Sequence, residues 1–405
     1  MLKSGLHHFK DKNILLLQGP IGPFFYRFAK DLKAAGATVF KINFNGGDLL
    51  FYPIGAVSYN GSLVAFEEFL ENFCTEHNID AMLFFNDCRP LHRVAMHIAQ
   101  KLSVKTGVFE EGYIRPNFIT FENGGVNAFS PIPRDSEFYK NIDVTNDATF
   151  ENIKNPYPFM ATWAILYWAG AFMLGWYFNN KLHHRSLNPL EFYPWLVSFY
   201  RKFRFKSYDK KNEEKILANP KEYFIVPLQV HNDTQIATHF KSGSVESFIE
   251  KTIISFAKHS EKDKLLAFKH HPMDRGYKNY TNLIESIAIS HDVHERVFYL
   301  HDIHLPTFLN NALGCIVINS TVGLSALYHG CPLKSCGSAF YNIKGLVFQG
   351  TLDEFWSGAK EFEVDTELYL KFKNYIIQNN QFNGNYYKKT PNTKTFSGIK
   401  YSISK

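Results

Sequence analysis

The feature that most constrains this chain is a pattern it runs through repeatedly: a short aliphatic run, a turn rich in Gly, Pro, Asn or Asp, then an amphipathic stretch several helical turns long. Asn13-Ile-Leu-Leu-Leu-Gln18 leads through Gly19-Pro20-Ile21-Gly22-Pro23 to a helix predicted over Phe24 to Ala35 that closes at Gly36. Further strands are expected at Val39 to Phe44, Ala81 to Phe85 and Lys105 to Phe109, with helices at Ser62 to His77 and Leu91 to Leu102. The pattern restarts at Glu222 to Pro227 and continues through strands at Lys264 to Lys269, Val297 to Leu300 and Cys315 to Ile318. Helices are expected between and after them, at Ser244 to His259, Tyr280 to Ser290 and Val322 to His329. Such alternation implies right-handed crossovers and parallel sheets, with ligands held by the loops at the carboxyl ends of the strands. Two Rossmann-like α/β halves facing a cleft are therefore expected.

At 405 residues the chain exceeds one module of roughly 150 residues, and 45 % hydrophobic with 20 % charged residues is the balance of a folded globular protein. The net charge of +6, from 44 Lys and Arg against 38 Asp and Glu, is too small to mark a nucleic-acid binder. Five scattered cysteines form no CxxC pair, so neither a disulfide framework nor a zinc site is indicated, and a cytoplasmic setting is expected. Ile14 to Leu17 is too short for a signal peptide.

The expected division is an N-terminal domain over 1–150, a helical insert over 151–215, a C-terminal domain over 216–364, and a closing helix with a loosely held polar tail over 365–405. The insert contains Phe159 to Phe178, uncharged throughout and followed by Lys181, His183, His184, Arg185 and the basic aromatic run Tyr200 to Lys206. A membrane-spanning helix would part the two halves of one cleft. An interfacial helix is preferred, with Trp163, Tyr167, Trp168, Trp176 and Tyr177 at headgroup level; the alternative is a helix buried between domains or in a dimer interface.

Lys269-His270-His271-Pro272 stands at the end of a buried strand, where ammonium and imidazole groups suit a phosphate. Asn319-Ser320-Thr321 follows another strand and opens a helix, so its hydroxyls either receive an anionic oxygen or serve as an ordinary cap. The prolines of Gly19 to Pro23 remove N–H groups that a pyrophosphate loop needs, which disfavours a dinucleotide cofactor. There is no Walker A, HExxH, GxSxG or DxD sequence, and no essential cofactor or metal is expected.

The basic strand-end loop and the hydroxyl-bearing helix start, about fifty residues apart, resemble the nucleotide-binding motifs of CMP-sugar transferases of the GT-B fold. Together with Leu15 to Phe25, Lys41 to Asp48, Asn86 to His92, Glu110 to Pro116 and Gln229 to Asp233, they resemble the capsule polysaccharide biosynthesis/export family of the KpsS/LipB type over about residues 13 to 345. The resemblance implies a retaining β-Kdo transferase using CMP-Kdo as donor and a (lyso)phosphatidylglycerol as acceptor, peripheral on the cytoplasmic face of the inner membrane, among other capsule-assembly proteins. A transferase that extends an existing Kdo-lipid and a noncatalytic export adaptor are the alternatives.

Retention by double displacement needs one carboxylate to attack the anomeric carbon and another group to take the acceptor proton. Asp233 is the expected nucleophile; Glu110 is the expected base, with Glu111 as alternative because successive strand residues face opposite ways. His271 is expected to bind the donor phosphate and stabilise its charge on departure, assisted by Lys269, Pro272, Gln229, Asn319, Ser320 and Thr321. Arg89 and Arg115 are expected to meet a carboxylate or lipid phosphate of the acceptor, or to form surface ion pairs.

Overall fold

The computed structural model describes residues 2, 5–143, 150–179, 182–183, 192–233, 236, 240 and 243–401. Lys181, His184 and Arg185 lie outside them. The chain forms two α/β units. The first comprises residues 1–132, 144–189 and 374–405; the second comprises 133–143 and 190–373.

The first unit holds strands β1 (Asn13–Leu16), β2 (Thr38–Asn43), β3 (Val57–Ser58), β4 (Ala81–Phe85), β5 (Lys105–Glu111) and β6 (Phe118–Asn123). The second holds β7 (Tyr223–Pro227), β8 (Leu265–Lys269), β9 (Val297–Leu300), β10 (Gly314–Val317) and β11 (Leu333–Ser335), after which β12 (Gln381–Asn383) returns to the first. The first sheet runs β12-β6-β5-β4-β1-β2-β3, parallel from β5 to β3, with β6 antiparallel to β5 and β12 antiparallel to β6. The second is wholly parallel, in the order β11-β10-β7-β8-β9.

Helices α1 (Phe24–Ala34), α2 (Gly46–Phe51), α3 (Leu63–Glu76) and α4 (Pro90–Leu102) follow the strands of the first unit, and α5 (Ser136–Lys140) belongs to the second. Ile14 and Leu16 pack on one face of the first sheet with Phe24 and Phe28; Leu15 and Leu17 pack on the other with Phe66 and Leu70. Burial on both faces is why the strands read as unbroken aliphatic runs.

The predicted insert does not form one body. Helix α6 (Tyr157–Met173) belongs to the first unit and α7 (Phe192–Leu217) to the second. Helix α6 is held where two backbones nearly touch: a Cβ on Gly46 would lie 2.1 Å from the Gly170 carbonyl oxygen, and one on Gly47 would lie 2.6 Å from the Tyr167 ring. Tyr167, expected at headgroup level, is instead buried. Its hydroxyl donates to Asp48 Oδ1 at 3.0 Å and accepts from Asn45 Nδ2 at 2.7 Å, because a phenol buried in a helix contact needs partners. Trp163 and Trp168 are half-buried, and Trp163 Nε1 donates to the Tyr387 carbonyl at 3.1 Å. Outward, Ile165, Leu166, Phe172, Met173, Trp176 and Tyr177 are exposed. Helix α7 likewise exposes Phe199, Tyr200 and Phe203 beside Lys202, Arg204 and Lys206. Among the described residues no helix is long and apolar enough to cross a membrane.

The polar tail is not loosely held. After the closing helix Thr366–Asn379, β12 adds an edge strand to the first sheet, and Asp31 accepts from Phe396 N, Ser397 N and the Tyr401 hydroxyl at 2.6, 2.9 and 2.9 Å. Asn383 and Ser397 are buried there with their polar atoms hydrogen-bonded, a partnership invisible to hydropathy.

Candidate functional site

In the second unit three loops leave the carboxyl ends of adjacent strands and bond to one another. Gln229, two residues beyond β7, donates from Nε2 to Asp233 Oδ2 at 2.9 Å and to Asn319 Oδ1 at 3.1 Å, while its Oε1 accepts from Asn319 N at 3.4 Å. The loops after β7 and β10 are thus clamped together by one buried amide. The expected role of Gln229 in touching the donor gives way to this one, since both ends of its amide serve protein partners. The β7 loop also reaches the β8 loop: His231 donates its backbone N–H to Asp274 Oδ2 at 2.7 Å, and its Nδ1 lies 2.5 Å from Asp274 Oδ1. Burial raises the Asp274 carboxyl above the usual range, opposed by these bonds to His231. Lys269–Pro272 and Asn319–Thr321 therefore share one edge of one sheet, with Asp233 between them in the bonding network.

Within that edge the side chains divide. His271 is half-buried and its Nδ1 accepts from Met273 N at 3.1 Å, so the neutral ring carries its proton on Nε2. Pro272 opens the short turn Pro272–Asp274 and is exposed. Ser320 accepts from Val322 N at 3.2 Å and Thr321 stands at the helix N-cap without a side-chain cap bond; both are partly exposed. The Asn319 Nδ2 group is buried and makes no bond among the described residues.

Lys269 is buried and donates to the His270 carbonyl at 3.0 Å; burial lowers its ammonium to about 8. It braces the strand end rather than presenting an exposed charge. His270 is buried, with Nδ1 2.5 Å from the Tyr299 hydroxyl, and burial lowers it to about 3, which keeps it neutral.

In the first unit, β5 runs through Glu111, two residues beyond its predicted end, and carries both acidic candidates. Glu110 accepts from Asn86 Nδ2 at 3.1 Å on one oxygen and from Glu111 N at 3.0 Å on the other. Burial pushes its carboxyl up to about 8; the bond from Glu111 N opposes this and the nearby Asp87 adds to it. Glu111 accepts from the Tyr387 hydroxyl at 3.2 Å. A carboxyl with so high a proton affinity suits proton transfer near neutrality.

The two arginines part company. Arg89 is buried, donates to Gln18 Oε1 at 2.9 Å and the Gly19 carbonyl at 3.3 Å, and lies over the Phe85 ring. Its planar fork ties the β1 loop to the β4 loop, so it is a buried brace rather than the surface ion pair that was its alternative. Arg115 is exposed, with Nε donating to the Gly112 carbonyl at 3.2 Å.

The His231–Asp274 pair and the Asp48–Tyr167 contact were missed as site features. No short spacing links either pair; the only signal was polar residues placed just beyond aliphatic strands. Among the described residues no three His, Cys, Asp or Glu side chains are grouped to hold a metal.

The model of a family described as "Capsule polysaccharide biosynthesis protein" matches residues 80–387. The chain is 40 % identical to the capsule polysaccharide modification protein LipB of Neisseria meningitidis serogroup B, over 98 % of this chain and 97 % of that protein. It is 37 % identical to the capsule polysaccharide export protein KpsS of Escherichia coli, over 93 % and 97 %. Among solved structures, a β-Kdo 2,4 transferase, KpsC of Thermosulfurimonas dismutans, aligns over 90 % of each chain at 12 % identity and a TM-score of 0.45.

Proposed function

The chain belongs to the capsule polysaccharide biosynthesis family, and from that premise we propose that it is a retaining β-Kdo transferase. It moves Kdo from CMP-Kdo to a (lyso)phosphatidylglycerol and so starts the poly-Kdo linker of a capsular polysaccharide. The observation that carries this reading is the bonded set of loops in the second unit. A carboxylate, an imidazole and two hydroxyl residues stand on one sheet edge, the place where a parallel α/β unit takes a nucleotide.

In the first step the Asp233 carboxylate attacks the anomeric carbon. The carbon–oxygen bond to the phosphate breaks, CMP leaves with the electron pair, and a glycosyl ester forms on Asp233. His271 Nε2–H, with Ser320 and Thr321, stabilises the charge on the departing phosphate. In the second step an acceptor hydroxyl, losing its proton to ionised Glu110, attacks the same carbon and expels Asp233 as carboxylate. Two inversions leave the configuration unchanged. Gln229 orients Asp233, and His231, held by Asp274, fixes the loop between them.

The exposed aromatic faces of α6 and α7, with the cations of α7, support peripheral attachment to an anionic inner-membrane surface, on the cytoplasmic side where CMP-sugars are made. The relative named as an export protein favours one rival, a noncatalytic adaptor. Purified protein with CMP-Kdo and a short-chain lysophosphatidylglycerol separates the two. Transfer by the wild type, and its loss in both Asp233→Ala and His271→Ala with circular dichroism unchanged, is the expected result. No turnover in the wild type favours the adaptor, and wild-type turnover in either variant removes that residue from the mechanism.

A further inference from the structure

A hollow in the first unit, beyond the ends of β1 and β2, is lined by Gly19, Tyr26, Lys41, Asp48, Tyr52 and Tyr167, and one of its walls is helix α6. Lys41 lies within β2, where an aliphatic residue is the rule, and is 4 % exposed. Its ammonium donates to the Ile42 carbonyl, and this is its one hydrogen bond among the described residues, so two of its three N–H donors remain unused. The Phe44 and Tyr52 rings stand 6.0 Å from it.

Asp48, the nearest acid, does not take up those donors. Its Oδ1 accepts from the Tyr167 hydroxyl at 3.0 Å, and its Oδ2 accepts from Phe44 N at 3.0 Å and from Gln18 Nε2 at 3.5 Å. These neutral donors disperse its charge. The Tyr26 and Tyr52 hydroxyls, on the same lining, make no hydrogen bond among the described residues. One buried cation and two phenols, each with unused donors, thus line one small hollow. A buried ammonium in that condition is costly unless an anion completes it.

We propose that this hollow binds a phosphate ester, and that the ester is the head group of a lipid whose acyl chain lies along the outer face of α6. The wall residue Tyr167 and the exposed Ile165, Leu166, Phe172 and Met173 belong to the same helix, so polar seat and apolar surface are one construction. The lipid part rests on the transferase reading above; the anion part does not.

The test is calorimetric binding to the full chain without sugar nucleotide, using short-chain lysophosphatidylglycerol, glycerol 3-phosphate and a phosphate-free monoacylglycerol of the same chain length. The lysolipid is expected to bind tightest, at least tenfold weaker to Lys41→Met and severalfold weaker to Tyr52→Phe, with Lys41→Met melting no lower than the wild type. The monoacylglycerol should show no dependence on Lys41. Equal lysolipid affinity in wild type and Lys41→Met overturns the site. Glycerol 3-phosphate binding as tightly as the lysolipid overturns the lipid assignment in favour of a soluble phosphate ester. Turnover assays keep the two readings apart: Lys41-dependent binding without any transfer sinks the transferase, whereas transfer with an unchanged acceptor KM in Lys41→Met sinks the site.

Discussion

The carboxyl of Glu110 provides the sharpest quantitative test, because one titration should appear in both stability and rate. Burial takes it from an ordinary 4.5 to about 8. Between those values the unfolded chain has lost this proton and the folded chain keeps it. Stability is therefore fully present below 4.5 and falls as pH rises toward 8, by roughly 1.4 kcal/mol per pH unit, or about 4–5 kcal/mol over the interval. Glu110→Gln removes the titration and also replaces one of the two oxygens that accept from Asn86 and Glu111 N, a pH-independent loss of about 1 kcal/mol. The variant should thus be slightly less stable than wild type at pH 5 and more stable by a few kcal/mol at pH 8.5. Glu122, pushed up to about 8 mainly by its own burial, slopes both curves equally, so their difference isolates Glu110. Urea unfolding at pH 5, 7 and 8.5 measures it. Parallel curves would refute the burial argument. If Glu110 is also the base, wild-type kcat rises with pH through about 8, and Glu110→Gln loses most of the activity along with that rise.

Two further outcomes follow from packing. Gly46→Ala puts a methyl group against the Gly170 carbonyl, 2.1 Å from its oxygen, and should cost about 3 kcal/mol as α6 is pushed off α2; a change below about 0.5 kcal/mol in chemical denaturation would show that the contact is not close. Asp31→Ala strands two backbone N–H groups and takes one of two partners from the Tyr401 hydroxyl, and should cost about 2–4 kcal/mol. Limited proteolysis is expected to open residues 388–401 in that variant while the wild type resists, and equal resistance would mean that other contacts hold the tail.

Much of the fold was legible because a strand buried on both faces must be aliphatic along its length. Strands at Asn13 to Gln18, Ala81 to Phe85, Lys264 to Lys269 and Cys315 to Ile318 could be expected from the pattern of aliphatic runs alone, and with them the loops that carry Asp233, His271 and Asn319. What could not be read is who bonds to whom across long sequence separations. Gln229 meets Asn319 ninety residues away, Tyr167 meets Asp48, and Arg89 meets Gln18. Hydropathy records a side chain's cost of leaving water but not the partner that offsets it. The polar tail therefore read as loose and Tyr167 as interfacial, and only the tertiary structure, by supplying their partners, put both inside.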